Sequence, residues 1–90
     1  MKTIYFIQTN IDRHYDYNKF RILKNILNVF SSEVYINDSN KFIFIETNKN
    51  VDFIYNEVNA NVYLKSVDFI ITELKNYKAK GAYDNFWLTL

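Results

Sequence analysis

Hydrophobic side chains fall along this chain in two rhythms. Thr3–Thr9 (TIYFIQT) is a short, almost continuous apolar run. That pattern suits a strand covered on both sides or placed centrally in a sheet. Residues 10–15 (NIDRHY) are polar and read as a loop. From Tyr17 the spacing changes: Phe20, Leu23, Ile26, Leu27 and Phe30 recur at three- and four-residue steps. This is the stripe of an amphipathic helix, with Arg21, Lys24, Asn25 and Asn28 on its outer side. Asp16 stands where a carboxylate caps the helix start. Ser31 and Ser32 end the helix. Residues 33–36 (EVYI) and 41–47 (KFIFIET) are strand-like, and 37–40 (NDSN) between them has the chemistry of a tight turn. A hairpin is therefore predicted over 33–47. Asn48 or Asn50 can cap a second helix, with Val51, Ile54, Tyr55 and Val58 as its buried stripe. Residues 60–66 either extend that helix or connect it onward. Residues 67–74 (VDFIITEL) are rich in β-branched side chains and read as a strand.

The predicted order is strand, helix, strand, strand, helix, strand and a tail. That order matches an α+β, ferredoxin-like split βαβ sandwich: a four-stranded antiparallel sheet with two helices on one face, plus a C-terminal tail segment. In that topology the first and third strands are central and the second and fourth form the edges. The two most continuously apolar runs are the first and third, as that placement requires.

Composition changes the picture in three ways. Ninety residues make a single domain, 1–90, with little core to spare, but 49% hydrophobic and 19% aromatic content supplies large buried areas per residue. The absence of Cys excludes disulfides and thiolate metal sites. No apolar run reaches the roughly 18 residues of a membrane span, and the first residues lack the pattern of a signal peptide, so a cytoplasmic protein with no membrane partner is expected. The net charge of +1 argues against avid, sequence-independent nucleic-acid binding. The abundance of Asn, Ile, Lys, Phe and Tyr fits an AT-rich coding genome.

Several patterns together resemble a known family. They are Tyr5-Phe6-Ile7 in the first strand, Asp16-Tyr17 at the helix start, and Tyr35-Ile36-Asn37-Asp38-Ser39 leading into Phe42-Ile43-Phe44-Ile45-Glu46-Thr47. Asp68-Phe69-Ile70-Ile71-Thr72-Glu73 and the late Trp87-Leu88 complete the set. The chain is similar in these to the small dimeric CRISPR-associated endoribonuclease-like family, which includes the virulence-associated protein D type toxins. The resemblance implies a homodimer and, in some members, metal-dependent cleavage of RNA or DNA. Active members carry an Asp at the end of the first strand. Here that position is Asn10, which cannot supply the anionic oxygen a hard divalent ion prefers. Asp12 could substitute only if the loop bent to bring it there.

Candidate chemistry is sparse. Asn10, Asp12, His14 and Asp16 gather polar groups in one loop, either as a Mg²⁺ or proton-transfer site or as a solvated loop with Asp16 as cap. His14 is the only histidine, so no multi-histidine site exists within one subunit. Glu46, Glu73 and Asp68 are either acid–base carboxylates or edge charges that deter aggregation. Arg21 and Lys24, and then Lys75, Lys78 and Lys80 with Tyr77 and Tyr83 among them, are either nucleic-acid contacts or a solvated face. Phe86, Trp87, Leu88 and Leu90 either close the monomer core or form an interface. No phosphate-cradling loop or nucleophile–base set can be assembled.

The expectation is a small homodimeric binding or inhibitor protein from a phage or mobile element. It would act on a host defence system as anti-CRISPR proteins do, with no cofactor. The alternatives are a metal-dependent endonuclease using Asp12 and Mg²⁺, and a non-catalytic nucleic-acid regulator using Lys75, Lys78 and Lys80.

Overall fold

The computed structural model describes residues 2–11, 16–37 and 42–76. The predicted elements form in the predicted order: β1 (Thr3–Thr9), α1 (Tyr17–Phe30), β2 (Ser31–Asn37), β3 (Phe42–Thr47), α2 (Val51–Asn59), a short 3-10 turn at Val62–Leu64, and β4 (Phe69–Glu73).

The helical stripe of α1 places Phe20, Leu23 and Leu27 in the core, with Ile26 and Phe30 half-buried at its margins. Asp16 does stand at the start of α1, but its side chain makes no capping bond. Only its backbone carbonyl contributes, accepting the Phe20 N–H at 3.1 Å. At φ −118° and ψ 46° Asp16 lies outside the extended conformation usual at a cap. Helix α2 is capped as expected, by Asn50, whose side-chain oxygen accepts the Phe53 N–H at 2.8 Å. Its stripe is narrower than predicted. Ile54 and Val58 are buried, whereas Val51 and Tyr55 are exposed. Tyr55, one residue after Ile54, lies about 100° round the helix from it, and Val51 is the first residue of a nine-residue helix, at its end. Within residues 60–66 the chain makes the 3-10 turn Val62–Leu64, opened by Asn61, whose side-chain oxygen accepts the Tyr63 N–H at 2.9 Å.

The sheet runs β2-β3-β1-β4, with every neighbouring pair antiparallel. β1 and β3 are thus central and β2 and β4 are edges. Strand β2 begins directly after α1 and starts two residues earlier than predicted; its pairing with β3 shifts register between Ser31 and Glu33. Residues 38–40 of the predicted turn lie outside the described residues.

Alternation along the central strands splits the apolar residues between two faces. Tyr5 and Ile7 of β1 and Ile43 and Ile45 of β3 meet Leu23, Leu27, Ile54 and Val58 of the helices, with Leu64 and Val67 closing the edge of this core. Phe42 and Phe44 of β3 point the other way and group with Ile4, Phe6, Tyr35 and Leu74. Both helices therefore cover one face, and the second face carries its own aromatic cluster. Four antiparallel strands in this order with two helices make an α+β protein consistent with the ferredoxin-like fold. Among the described residues no helix is long and apolar enough to cross a membrane.

Candidate functional site

The end of β1 is where the sequence places catalytic chemistry, and there the structure builds a clip. The Asn10 amide nitrogen donates to the Asp68 carboxylate at 3.2 Å, while the Asn10 side-chain oxygen accepts the Asp68 N–H at 2.9 Å. The Asn10 backbone N–H donates to the Asp68 carbonyl at 3.1 Å, and the Thr9 hydroxyl donates to the same carbonyl, also at 3.1 Å. The Thr9 hydroxyl also accepts the Ile11 N–H at 3.3 Å. Both halves of the Asn10 amide are thus engaged in tying the exit of β1 to the entry of β4. An Asp at position 10 would lose the donor and face the Asp68 carboxylate. A shallow recess of about 330 Å³ lies beside the clip, lined by Gln8, Thr9, Asn10, Asp68, Phe69 and Ile70.

The resemblance implies a divalent ion here. A hard cation takes several oxygen ligands, carboxylates foremost. Among the described residues no three His, Asp or Glu side chains gather into such a set, and at this clip Asp68 is the sole carboxylate, already accepting from Asn10. The described donors therefore do not fit the ion. Asp12 and His14 lie outside the described residues.

The other expected carboxylate pair is not assembled. Glu46 stands opposite Ile4, and Glu73 stands opposite Tyr5, so β1 separates them and they project to opposite faces. Each has its own partner. Glu46 accepts the Ser32 hydroxyl at 3.0 Å and lies 3.8 Å from the Lys2 ammonium. Glu73 lies 3.5 Å from Lys75. Lys75 is exposed beyond the end of β4 with this carboxylate beside it, which offsets part of its charge toward a phosphate. Lys78, Lys80, Phe86, Trp87, Leu88 and Leu90 lie outside the described residues. Arg21 and Lys24 are exposed on the outer side of α1, as a solvated face requires.

A larger recess was not foreseen. A cleft of about 680 Å³ opens where α1 ends and α2 begins, lined among others by Lys2, Ser31, Thr47, Lys49 and Phe53. Its wall includes an edge-to-face pair, Phe30 against Phe53 with centroids 5.3 Å apart. The Lys49 ammonium sits 4.9 Å from the Phe53 ring centre, within cation–π range. The Ser31 hydroxyl is buried in this wall with no hydrogen-bond partner among the described residues. Residues 2, 31, and 49 with 53 come from three separate segments. The available signal was Lys49 flanked by Asn48 and Asn50, which reads simply as a helix start.

Behind the cleft, the Tyr5 hydroxyl donates to the Lys49 carbonyl at 2.9 Å. Burial, reinforced by the negative charge of Glu73, pushes the Tyr5 hydroxyl above its ordinary value.

Fold and clefts define the class, an α+β protein consistent with a ferredoxin-like arrangement, with an aromatic-walled recess that carries Lys2, Lys49 and Glu57. No protein-family model matches the chain, and comparison with curated proteins finds no match.

Proposed function

We propose that this chain is a homodimeric binding protein without nuclease activity, and that it blocks a protein target of a host defence system. The observation that carries the non-catalytic part is the Asn10–Asp68 clip. The position that bears the catalytic Asp in active members of the resembling family is here a structural amide, with its donor and acceptor both engaged. Two surfaces support binding. The first is the cleft by Lys2, Lys49 and Glu57, whose aromatic wall, with Lys49 beside the Phe53 ring, suits an aromatic anchor residue of a protein partner. The second is the outer edge of β4, which pairs with no further strand among the described residues and where Ile70 is 58% exposed. That edge has no register shift of the kind that interrupts β2 against β3. An evenly paired edge strand is a template for antiparallel pairing with a second copy. The defence target is argued from the small size and AT-rich composition of the chain.

The test is one incubation series. Purified protein is mixed with labelled single- and double-stranded RNA and DNA in Mg²⁺, Mn²⁺ or EDTA, and shift and cleavage are read on parallel gels. The expected result is neither cleavage nor shift, with a host protein captured by wild type and released by Lys49→Glu. Metal-dependent cleavage lost in Asp12→Asn overturns the proposal in favour of a nuclease.

A second reading is favoured by the Asp68 carboxylate itself, which lies 3.2 Å from the Asn10 amide, at the place where the family's catalytic carboxylate is expected. Under that reading Asp68 and Asp12 share the role, and Asp68→Asn abolishes cleavage as completely as Asp12→Asn.

A further inference from the structure

In the cleft where α1 ends and α2 begins, two opposite charges stand unpaired beside an open aromatic wall. Phe30 and Phe53 are half-buried in that wall, and Val29 beside them is 86% exposed. Lys2, Lys49 and Glu57 line the same cleft. Lys2 is already paired, its ammonium 3.8 Å from the Glu46 carboxylate. Lys49 and Glu57 are exposed, and among the described residues neither forms an ion pair, with the other or with any third group. Phe53 lies next to both. The Lys49 ammonium is 4.9 Å from its ring centre. Glu57 follows Phe53 by four residues in α2, which sets the two side chains on one helix face.

The frame that carries these groups is fixed. The Lys49 N–H donates to the Thr47 hydroxyl at 3.2 Å, and the Lys49 carbonyl accepts the Tyr5 hydroxyl at 2.9 Å. Its main chain is thus pinned on both sides while its side chain stands exposed. Phe53 is set by the Asn50 cap, which accepts its N–H at 2.8 Å, and by the edge-to-face contact with Phe30. Little order therefore has to be imposed when a ligand enters. The Ser31 hydroxyl is buried in the same wall with no partner among the described residues. Such a group is costly to leave unsatisfied, and a polar ligand beside it is one way to meet that cost. At about 680 Å³ the cleft falls within the range of small-molecule sites.

A ligand that answers all of these features carries a ring and both charges. A purely anionic ligand is repelled by Glu57, and a purely cationic one by Lys2 and Lys49. We propose that the cleft binds a free aromatic amino acid, with its ring against Phe53, its carboxylate at Lys49 and its ammonium at Glu57. Lys49 and Glu57 have long, jointed side chains, so they converge on two groups that share one carbon. The Lys49 ammonium moves from the Phe53 ring to the carboxylate, exchanging a cation–π contact for a charge-assisted hydrogen bond. The ligand's ring takes over the face of Phe53. The inference needs no protein partner, so it stands or falls apart from the function proposed above.

The test is a titration of the isotope-labelled full-length chain with L-phenylalanine, followed by backbone amide shifts in NMR. A saturable, one-to-one response centred on Lys49, Phe53 and Glu57 is expected. Three relatives of the ligand are each expected to bind about tenfold more weakly. They are N-acetyl-phenylalanine, which lacks the ammonium, phenylalanine amide, which lacks the carboxylate, and leucine, which lacks the ring. Glu57→Gln should then bind phenylalanine and its N-acetyl form alike, and Lys49→Gln should bind phenylalanine and its amide alike. Both variants alter exposed side chains, and the far-ultraviolet spectrum checks that they fold; the ligand series on wild type decides the matter without them. The absence of a saturable response below millimolar phenylalanine overturns the proposal. So does N-acetyl-phenylalanine or the amide binding as tightly as phenylalanine, and so does a response centred outside the cleft. A peptide with an internal phenylalanine that binds as tightly as the free amino acid also overturns it, and assigns the cleft to a protein anchor.

Discussion

Single side chains in this molecule are committed to joints. Tyr5 is the clearest case, because it is buried and spends its hydroxyl on the Lys49 carbonyl. Tyr5→Phe keeps the ring and leaves that carbonyl short of a donor, so a loss of about 1 kcal/mol is expected in urea unfolding. The pH dependence follows from the raised hydroxyl. A group that holds its proton more tightly folded than unfolded contributes stability below its unfolded value, which is 10.0 for tyrosine. That contribution is lost as pH rises through the higher folded value. Wild type should therefore weaken above about pH 10, and Tyr5→Phe should weaken less steeply there, read as denaturation midpoints between pH 9 and 11. At the β1 exit, Asn10→Asp should cost about 1–2 kcal/mol, since it loses a donor and sets two carboxylates together. The Asn10–Asp68 partnership was invisible in the sequence because its members are 58 positions apart and the loop that follows Asn10 offers nearer polar candidates.

At the scale of elements, the two helix starts form a natural experiment. Both have a capping residue by composition, but only Asn50 delivers the bond. Asn50→Ala should cost about 1 kcal/mol and Asp16→Ala close to nothing, both measured by thermal or urea unfolding. Helix α1 was legible from the sequence to its end residues because fourteen positions give the 3.6-residue rhythm four repeats to declare itself. Helix α2 was legible in existence but only partly in its buried face. In two and a half turns, Val51 and Tyr55 look like stripe members until packing shows that only Ile54 and Val58 are buried. The central strands were legible for a related reason. Ile43 and Ile45 alternate with Phe42 and Phe44, and a strand apolar at both parities needs cover on both sides.

For the molecule as a whole, the decisive property is how its two sheet edges differ. β2 is interrupted by the Ser31–Glu33 register shift, whereas β4 pairs evenly with β1 over five positions and exposes Ile70. If copies join along β4, Ile70→Lys should abolish the dimer in sedimentation or light scattering. It should leave the unfolding midpoint within about 0.5 kcal/mol of wild type, since an exposed substitution touches no core contact. Unchanged association would move the dimer contact away from β4. The cleft near Lys2 and Lys49 was not legible, because it exists only where three distant segments converge.

The joint between α1 and β2 sets a rule for how this chain can change in length. Phe30 closes the helix and Ser31 opens the strand with no residue between them. The Thr47 hydroxyl locks the joint, donating to the Phe30 carbonyl at 2.7 Å and accepting the Lys49 N–H at 3.2 Å. One residue inserted or removed there would turn Val34 and Ile36 away from the helices and Tyr35 toward them, exchanging the contents of both layers along that strand. Natural or engineered insertions should therefore collect in the loops and be excluded from this seam. A reading-frame-preserving insertion library scored for folded protein should show a gap at residues 30–31.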